Sequence, residues 1–335
     1  MGYEFMVHSR YMLYNRYMQI LSTSGWKDYE LLDSGNGMRY ERFGPYTTVR
    51  PDPQAIWKPS NLEKWQDADV QYIRTIKDQG EWKFKRAIPE KWKMTWENVS
   101  FWARLTSFKH TGVFPEQSLQ WKWISSKIEN RLSKMGVENG KLMIDTSPSS
   151  TNHHPNPSST FHYPSSRISV LNLFAYTGIA TLACAAAGAD VTHVDASKPS
   201  LTWARENQYL SKLDDKPIRW ILDDCLKFVE REVKRGNAYD GILMDPPIYG
   251  HGNTGQVWKF NEHFPKLVEL CSQLLSKNPL FFVVNAYAIS SSSIMLGNVM
   301  QDFLPKGNIE VGELCLEETL GKRLLSTGIF ARWSI

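Results

Sequence analysis

The chain has 335 residues, enough for one large core and a smaller companion, and 13% of them are aromatic, so a core is readily filled. A formal net charge of +4 favours no particular partner, and no apolar run reaches the ~18 residues that a membrane span needs. The four cysteines, Cys184, Cys225, Cys271 and Cys315, lie apart without C-x-x-C spacing, and the eight histidines form no ligand pair at helical spacing. This pattern excludes a disulfide framework, predicts reduced thiols of an intracellular protein, and gives no reason to expect a metal.

Between Phe5 and Trp26 there are two arginines and no acids, with Tyr, Met and Leu interspersed. Two readings stand for residues 1–26: a mitochondrial targeting segment, or an additional N-terminal helix. The first would place a eukaryotic protein in the mitochondrial matrix; otherwise the cytoplasm is expected. Residues 27–109 lack helical periodicity and are broken by Gly, Pro, Asn and Asp, which predicts a small β-rich domain. Its Ser34-Gly35-Asn36-Gly37 cluster reads as a hairpin turn, and Pro51 and Pro53 exclude a central strand there. A turn and then a helix follow over 111–135, with Trp121, Trp123, Ile124, Ile128 and Leu132 near a 3.6-residue period. The stretch TSPSSTNHHPNPSSTFHYPSS at 146–166 is poor in aliphatics and predicts a disordered surface insertion.

Beyond it, strands and helices alternate. Strands are expected at 168–174, 190–195, 217–223, 239–245 and 279–285, and helices near 178–187, 198–211, 225–235, 260–276 and 290–303. Two final strands, IEVGELCLEE and LLSTGIFARW, flank Thr319-Leu320-Gly321-Lys322. Alternation of this kind predicts a parallel sheet with helices on both faces, and the closing hairpin points to a seven-stranded Rossmann-like sheet spanning 110–335.

Two segments carry chemistry. In VLNLFAYTGIATLACAAAGADVTHVD at 170–195, a strand enters a tight turn at Tyr176-Thr177-Gly178, a small-residue helix follows, and a second strand ends on Asp195. Gly178 permits close backbone approach to a ligand, the helix start offers unpaired N–H groups, and Asp195 is placed to accept ribose hydroxyls. This is a nucleoside-binding unit. The second segment is Asp245-Pro246-Pro247-Ile248-Tyr249, directly after the apolar YDGILM. Neither proline donates a hydrogen bond, so the loop is stiff and its carbonyls are free to accept, while Tyr249 can stack on a flat heterocycle. In an open α/β sheet this rim binds ligands.

Residues 109–335 resemble the class I S-adenosylmethionine (AdoMet)-dependent methyltransferases. More narrowly they resemble the bacterial large-subunit ribosomal RNA methyltransferases of the cytosine-C5 and guanine-N7 type. The resemblance rests on LNLFAYTGIATLACAAAGADVTHVDAS at 171–197, WARENQ at 203–208, DDCLKFV at 223–229, YDGILMDPPIYG at 239–250 and FKHTGVFPEQ at 108–117. It does not extend to the RNA-binding domain that better-known members carry. It implies AdoMet as methyl donor, with its methionine portion near Phe174, Tyr176, Thr177 and Gly178. Asp195 would lie at the ribose, Asp224 at the adenine amine, Ser197 elsewhere along the cofactor, and Phe114 and Gln117 over the cofactor from outside the sheet. For Asp224 a helix N-cap is the competing role, and Asp223 competes for the adenine. Asp245, Pro246 and Tyr249 would serve the methyl acceptor.

Carbon-5 methylation of cytosine calls for a cysteine nucleophile, and none adjoins Asp245-Pro246-Pro247, which favours a nitrogen or oxygen acceptor. From Trp82 to Lys109 seven cations face only Glu90 and Glu97, with seven aromatic rings interleaved, a composition suited to RNA or to a domain core with a solvated face. The favoured reading is methylation of RNA, ribosomal RNA first. A protein or small-molecule substrate, a non-catalytic nucleic-acid module and an NAD enzyme are the alternatives. The last lacks its fingerprint, since Ile179 and Thr181 follow Gly178 where glycines are required.

Overall fold

The computed structural model describes residues 18–74, 80–138, 141–142, 167–251, 255, 257–287 and 291–335. The predicted insertion at 146–166 and most of the N-terminal stretch lie outside the described residues. The first element is a strand, β1 (Gln19–Thr23), followed by β2 (Tyr29–Gly35), β3 (Met38–Phe43), β4 (Tyr46–Pro51), β5 (Val70–Arg74) and β6 (Gly80–Phe84). Strands β2 to β6 form a five-stranded sheet in chain order, antiparallel except where β4 meets β5. Its first hairpin turns at Asn36 and Gly37, with φ of 53° and 73°. Two consecutive left-handed residues are what a two-residue turn matching strand twist demands, and Asn-Gly supplies them. A separate hairpin, β7 (Trp92–Trp96) with β8 (Val99–Ala103), completes the N-terminal region.

Helix α1 (Ser118–Lys134) opens with a short 3-10 turn at Pro115–Gln117 and buries Trp121, Ile124, Ile128 and Leu132 of the predicted apolar stripe, while Trp123 is only partly buried. After a small hairpin, β9 (Val137–Glu138) with β10 (Lys141–Leu142), the alternating region begins. It contains β11 (Ser169–Leu173), α2 (Ile179–Ala186), β12 (Asp190–Asp195), α3 (Lys198–Leu210), β13 (Ile218–Leu222), α4 (Cys225–Arg235) and β14 (Gly241–Met244). A short hairpin of β15 (Tyr249–His251) and β16 (Val257–Lys259) interrupts it. Then come α5 (Phe260–Gln273), β17 (Phe281–Ala286), α6 (Ser293–Phe303), β18 (Asn308–Glu317) and β19 (Leu324–Ser334).

The main sheet runs β1-β18-β19-β17-β14-β11-β12-β13, parallel throughout except for β19. It therefore has eight strands where the sequence predicted seven. The eighth is β1, in a segment read as a helix or a targeting extension. It pairs with β18 in parallel, Gln19 opposite Gly312, and the Thr23 hydroxyl donates to the Pro115 carbonyl at 3.1 Å. Residues 19–23 thus belong to the folded sheet, and a segment removed up to residue 26 would take an edge strand with it.

Strands β14 and β17 are buried along their whole length, as central parallel strands covered on both faces must be. Helices α4, α5 and α6 pack on one face around Phe228, Phe264, Leu267 and Met300; α1 and α2 pack on the other around Ile128, Cys184 and Phe281. The N-terminal region is not closed on itself: Phe43, Met94 and Phe101 share a cluster with Trp121, Leu182, Leu316 and Leu325. All four cysteines are buried and unpaired. Among the described residues no helix is long and apolar enough to cross a membrane.

Candidate active site

Strand order reverses between β11 and β14, so the loops leaving their carboxyl ends diverge and open a crevice. The loop after β11 is strained. Phe174 and Tyr176 take left-handed φ of 54° and 49°, and Gly178 follows at 80°. Such non-glycine conformations cost ~1–3 kcal/mol each and collect where a ligand is clamped. Gly178 is required twice over, by its φ and because a Cβ would come within 2.9 Å of the Ala204 Cβ on α3.

Asp195, at the end of β12, ties this loop down. Its Oδ2 accepts from the Tyr176 backbone N–H and its Oδ1 from that of Ser197, both at 2.8 Å. Each oxygen keeps a lone pair for a hydroxyl donor. Burial pushes the Asp195 carboxyl up, opposed by the two N–H groups. Ser197 itself caps α3, accepting from the Ser200 N–H at 3.3 Å. Thr177 faces inward: its Oγ1 donates to the Gly112 carbonyl at 2.7 Å, and its own carbonyl accepts from Asn207 Nδ2 at 2.9 Å. It fastens the segment 111–117 to the turn and lines a small cavity with Tyr176 and Gly178.

At the end of β13 the two aspartates separate. Asp223 is held by Arg231 and by the Asp224 N–H, whereas Asp224 caps α4 through the Lys227 N–H at 3.0 Å and also lines the crevice. Its capping role and its place at the site coexist.

Asp245, after β14, is the most perturbed acid of the crevice. Gln117 Nε2 donates to its Oδ2 at 2.6 Å, while Oδ1 is buried with no hydrogen-bond partner. Burial raises its pKa to about 7; Gln117 opposes the rise and the Glu116 charge adds to it. Gln117, expected over the cofactor, supports Asp245 and also lines a small cavity with Tyr176 and Gly178. Pro246 is buried, and Pro247 lines the crevice with its carbonyl taken by Trp258 Nε1 at 2.6 Å, so that acceptor is not free as the sequence implied. Tyr249 lies on the β15–β16 hairpin, half exposed and outside the crevice lining. Trp258 of that hairpin occupies the wall instead, its ring 4.9 Å from that of Phe174.

The crevice measures about 270 Å³, and its walls combine Phe114, Phe174, Tyr176, Trp258 and Tyr287 with Asp195, Asp224 and Asp245. Phe114 sits 5.8 Å from Tyr176 and 5.5 Å from Tyr287, ring centre to ring centre. His110 also lines it, and burial drives its pKa down to about 3, leaving it neutral at pH 7. Trp258, Tyr287 and His110 were not anticipated; their elements are far apart in sequence and no spacing links them. Cys225 Sγ accepts from the Phe174 N–H at 3.3 Å, and burial raises its thiol well above the ordinary range, so no thiolate is available.

These residues fit a sulfonium nucleoside. Three carboxyl groups and five rings suit a cation attached to a ribose and a flat base. Among the described lining residues there is no Lys or Arg, and three carboxyl groups suit a cationic ligand better than a pyrophosphate. No group of three His, Cys, Asp or Glu suited to a metal occurs among the described residues.

Sheet order and crevice chemistry together are those of an AdoMet-binding methyltransferase. No family model matches the chain. A SAM-dependent methyltransferase of known structure from Agrobacterium tumefaciens is 39% identical, with a TM-score of 0.80 over 94% of this chain and 93% of that one. The chain belongs to this family of SAM-dependent methyltransferases. Ribosomal RNA large subunit methyltransferase K/L of Chromohalobacter salexigens is 39% identical over 108 residues, which are 32% of this chain and 14% of that protein. Ribosomal RNA large subunit methyltransferase I of Escherichia coli O139:H28 is 31% identical over 144 residues, 43% of this chain and 35% of that protein. The chain therefore spans about a third or less of the curated relatives it matches.

Proposed function

We propose that this methyltransferase modifies a base in RNA, large-subunit ribosomal RNA foremost, at a nitrogen or oxygen acceptor. The observation that carries the proposal is the buried, unpartnered Oδ1 of Asp245 in a crevice with no accessible thiolate. Relatives named for ribosomal RNA support the substrate class. Bound AdoMet supplies an activated methyl group, so the protein's task reduces to placement, an effect able to provide ~7–11 kcal/mol. In this reading Asp195 accepts the ribose hydroxyls and Asp224 the adenine amine, while Phe174, Tyr176 and Phe114 face the sulfonium side. Gly178 and Thr177 hold the turn, and Ser197 fixes Asp195.

Gln117 orients Asp245 so that Oδ1 accepts a hydrogen bond from the acceptor's N–H, with Pro246 stiffening the loop. Trp258, which lines the crevice, takes the stacking place first expected of Tyr249. Incubation with tritiated AdoMet and total RNA, followed by digestion to nucleosides, tests the proposal. Label in an amine- or oxygen-methylated nucleoside is expected. Label in 5-methylcytosine would refute the acceptor, and label confined to protein would refute the substrate.

A further inference from the structure

Resting on RNA as the substrate, we propose that Phe108, with the Arg74 and Phe84 face of the β5–β6 hairpin, forms a stacking surface for unpaired nucleotides of single-stranded RNA beside the target base. The loop after β8 is closed by Arg104 N–H to the Thr111 carbonyl (3.1 Å) and Thr106 N–H to the His110 carbonyl (2.9 Å), leaving Ser107, Phe108 and Lys109 at its tip. Trp82 Nε1 donates to the Thr106 carbonyl and the Tyr72 hydroxyl to that of Ser107, both at 2.7 Å. Lys109 is held from the other side: its carbonyl accepts from Arg50 Nη1 at 3.1 Å, and its Nζ donates to the Pro51 carbonyl at 3.2 Å. Its left-handed φ of 63° adds strain to a loop already pinned. At this fastened tip Ser107 and Phe108 are exposed, and the Phe108 ring, at 74%, supplies the apolar face. A rigid loop that presents a bare phenyl ring is a stacking platform.

The surroundings name the occupant. Phe84, 58% exposed, lies on the same face of β6 as Trp82, because residues two apart share a face. Arg74 pairs with Gly80 and so falls on that face too, while the acid Glu81 falls on the other. Arg74 is exposed and stands close enough to Lys109 to help lower its pKa, after burial and the buried Arg39 and Arg50, with Asp52 opposing. Aromatic faces set among cations hold unpaired bases and their phosphates. The path continues inward: His110, next to the tip, lines the crevice with its ring 5.3 Å from Phe114. A base reaching Asp245 must leave any helix, and its neighbours are then unstacked and available to Phe108.

The test is fluorescence anisotropy with a labelled, unstructured RNA of about 12 nucleotides. F108A is expected to weaken binding about five- to a hundredfold, and F108W to restore it, from the range for one base–aromatic stack. R74A is expected to lower the salt dependence of log Kd by about one. Unchanged AdoMet affinity of F108A by calorimetry would show the crevice intact. Wild-type RNA affinity in F108A overturns the inference, even where the wild type methylates RNA. Loss of RNA affinity in F108A with no tritium transfer to RNA by the wild type would instead keep this surface and remove the reading of the activity.

Discussion

Replacing Asp245 by Asn tests the perturbed acid directly. In the folded protein its carboxyl ionises at about 7 instead of the ordinary 3.8, because burial disfavours the charge. A folded-state pKa raised in this way means that stability present below pH ~4 is lost as pH rises toward 7, at ~1.4 kcal/mol per pH unit from this group. The full span corresponds to roughly 4 kcal/mol, and partial access of the carboxyl to the crevice reduces it, so ~2–4 kcal/mol is expected. Asn carries no ionisable proton and its amide oxygen can still accept from Gln117. The variant should melt with the wild type near pH 4 and several degrees above it at pH 8. Subtracting the two curves removes the opposite trend from the buried His110 and His193, whose pKa values are lowered to about 3. Methyl transfer should fall by ~10²–10³ in the variant, and wild-type kcat/KM should rise with pH through about 7. Thermal melts across pH 4–8 give the readout; a melting difference that does not change over that range would refute the reasoning.

Asp195→Ala should weaken AdoMet binding by ~1.5–3 kcal/mol in calorimetry, since hydrogen bonds to a charged group and the tether on Tyr176 are both lost. Gly112→Ala should lower stability by roughly 2–5 kcal/mol in urea unfolding, because φ is 88° there and a Cβ would land on the Trp203 ring. Cys225→Ala should retain turnover within about tenfold, as its thiol is buried and engaged with Phe174 and has no covalent role. An RNA–protein adduct that forms in the wild type and vanishes in that variant would contradict this.

Legibility in the sequence followed the range of the forces involved. Strand β12 and helix α4 fall on their predicted bounds because local signals mark both ends: an apolar run closing on Asp195, and an aspartate cap at Asp224 answered by Gly236 with φ of 68°. The Asn36–Gly37 turn was likewise written in two residues. Strand β1 was not, since its pairing joins Gln19 to Gly312 and nothing within QILST marks it as an edge strand. Of the aromatic run at 82–109, Trp92, Trp96 and Phe101 went to the core while Phe84 and Phe108 stayed outside. Composition alone could not divide them, because burial depends on which strand face meets α1 and α2.

The same division explains the site. Asp195 and Asp245 end apolar strands at a predictable rim, so their place was readable; what holds them was not. Gln117 reaches Asp245 across 128 residues, and Trp258 reaches the Pro247 carbonyl only because a hairpin folds back. The resemblance placed Thr177 beside the cofactor, but no spacing showed that its hydroxyl and carbonyl are tied to the Gly112 carbonyl and to Asn207 on α3. These ties have a common consequence: segment 111–117 is bonded both to the cofactor turn through Thr177 and to the acceptor loop through Gln117. A shift of that segment therefore moves both walls of the crevice together, and substitutions along it, Phe114 apart, should change kcat more than AdoMet affinity. Gln117→Leu separates the two, since it strips Asp245 of its support and leaves the Asp195 tether untouched.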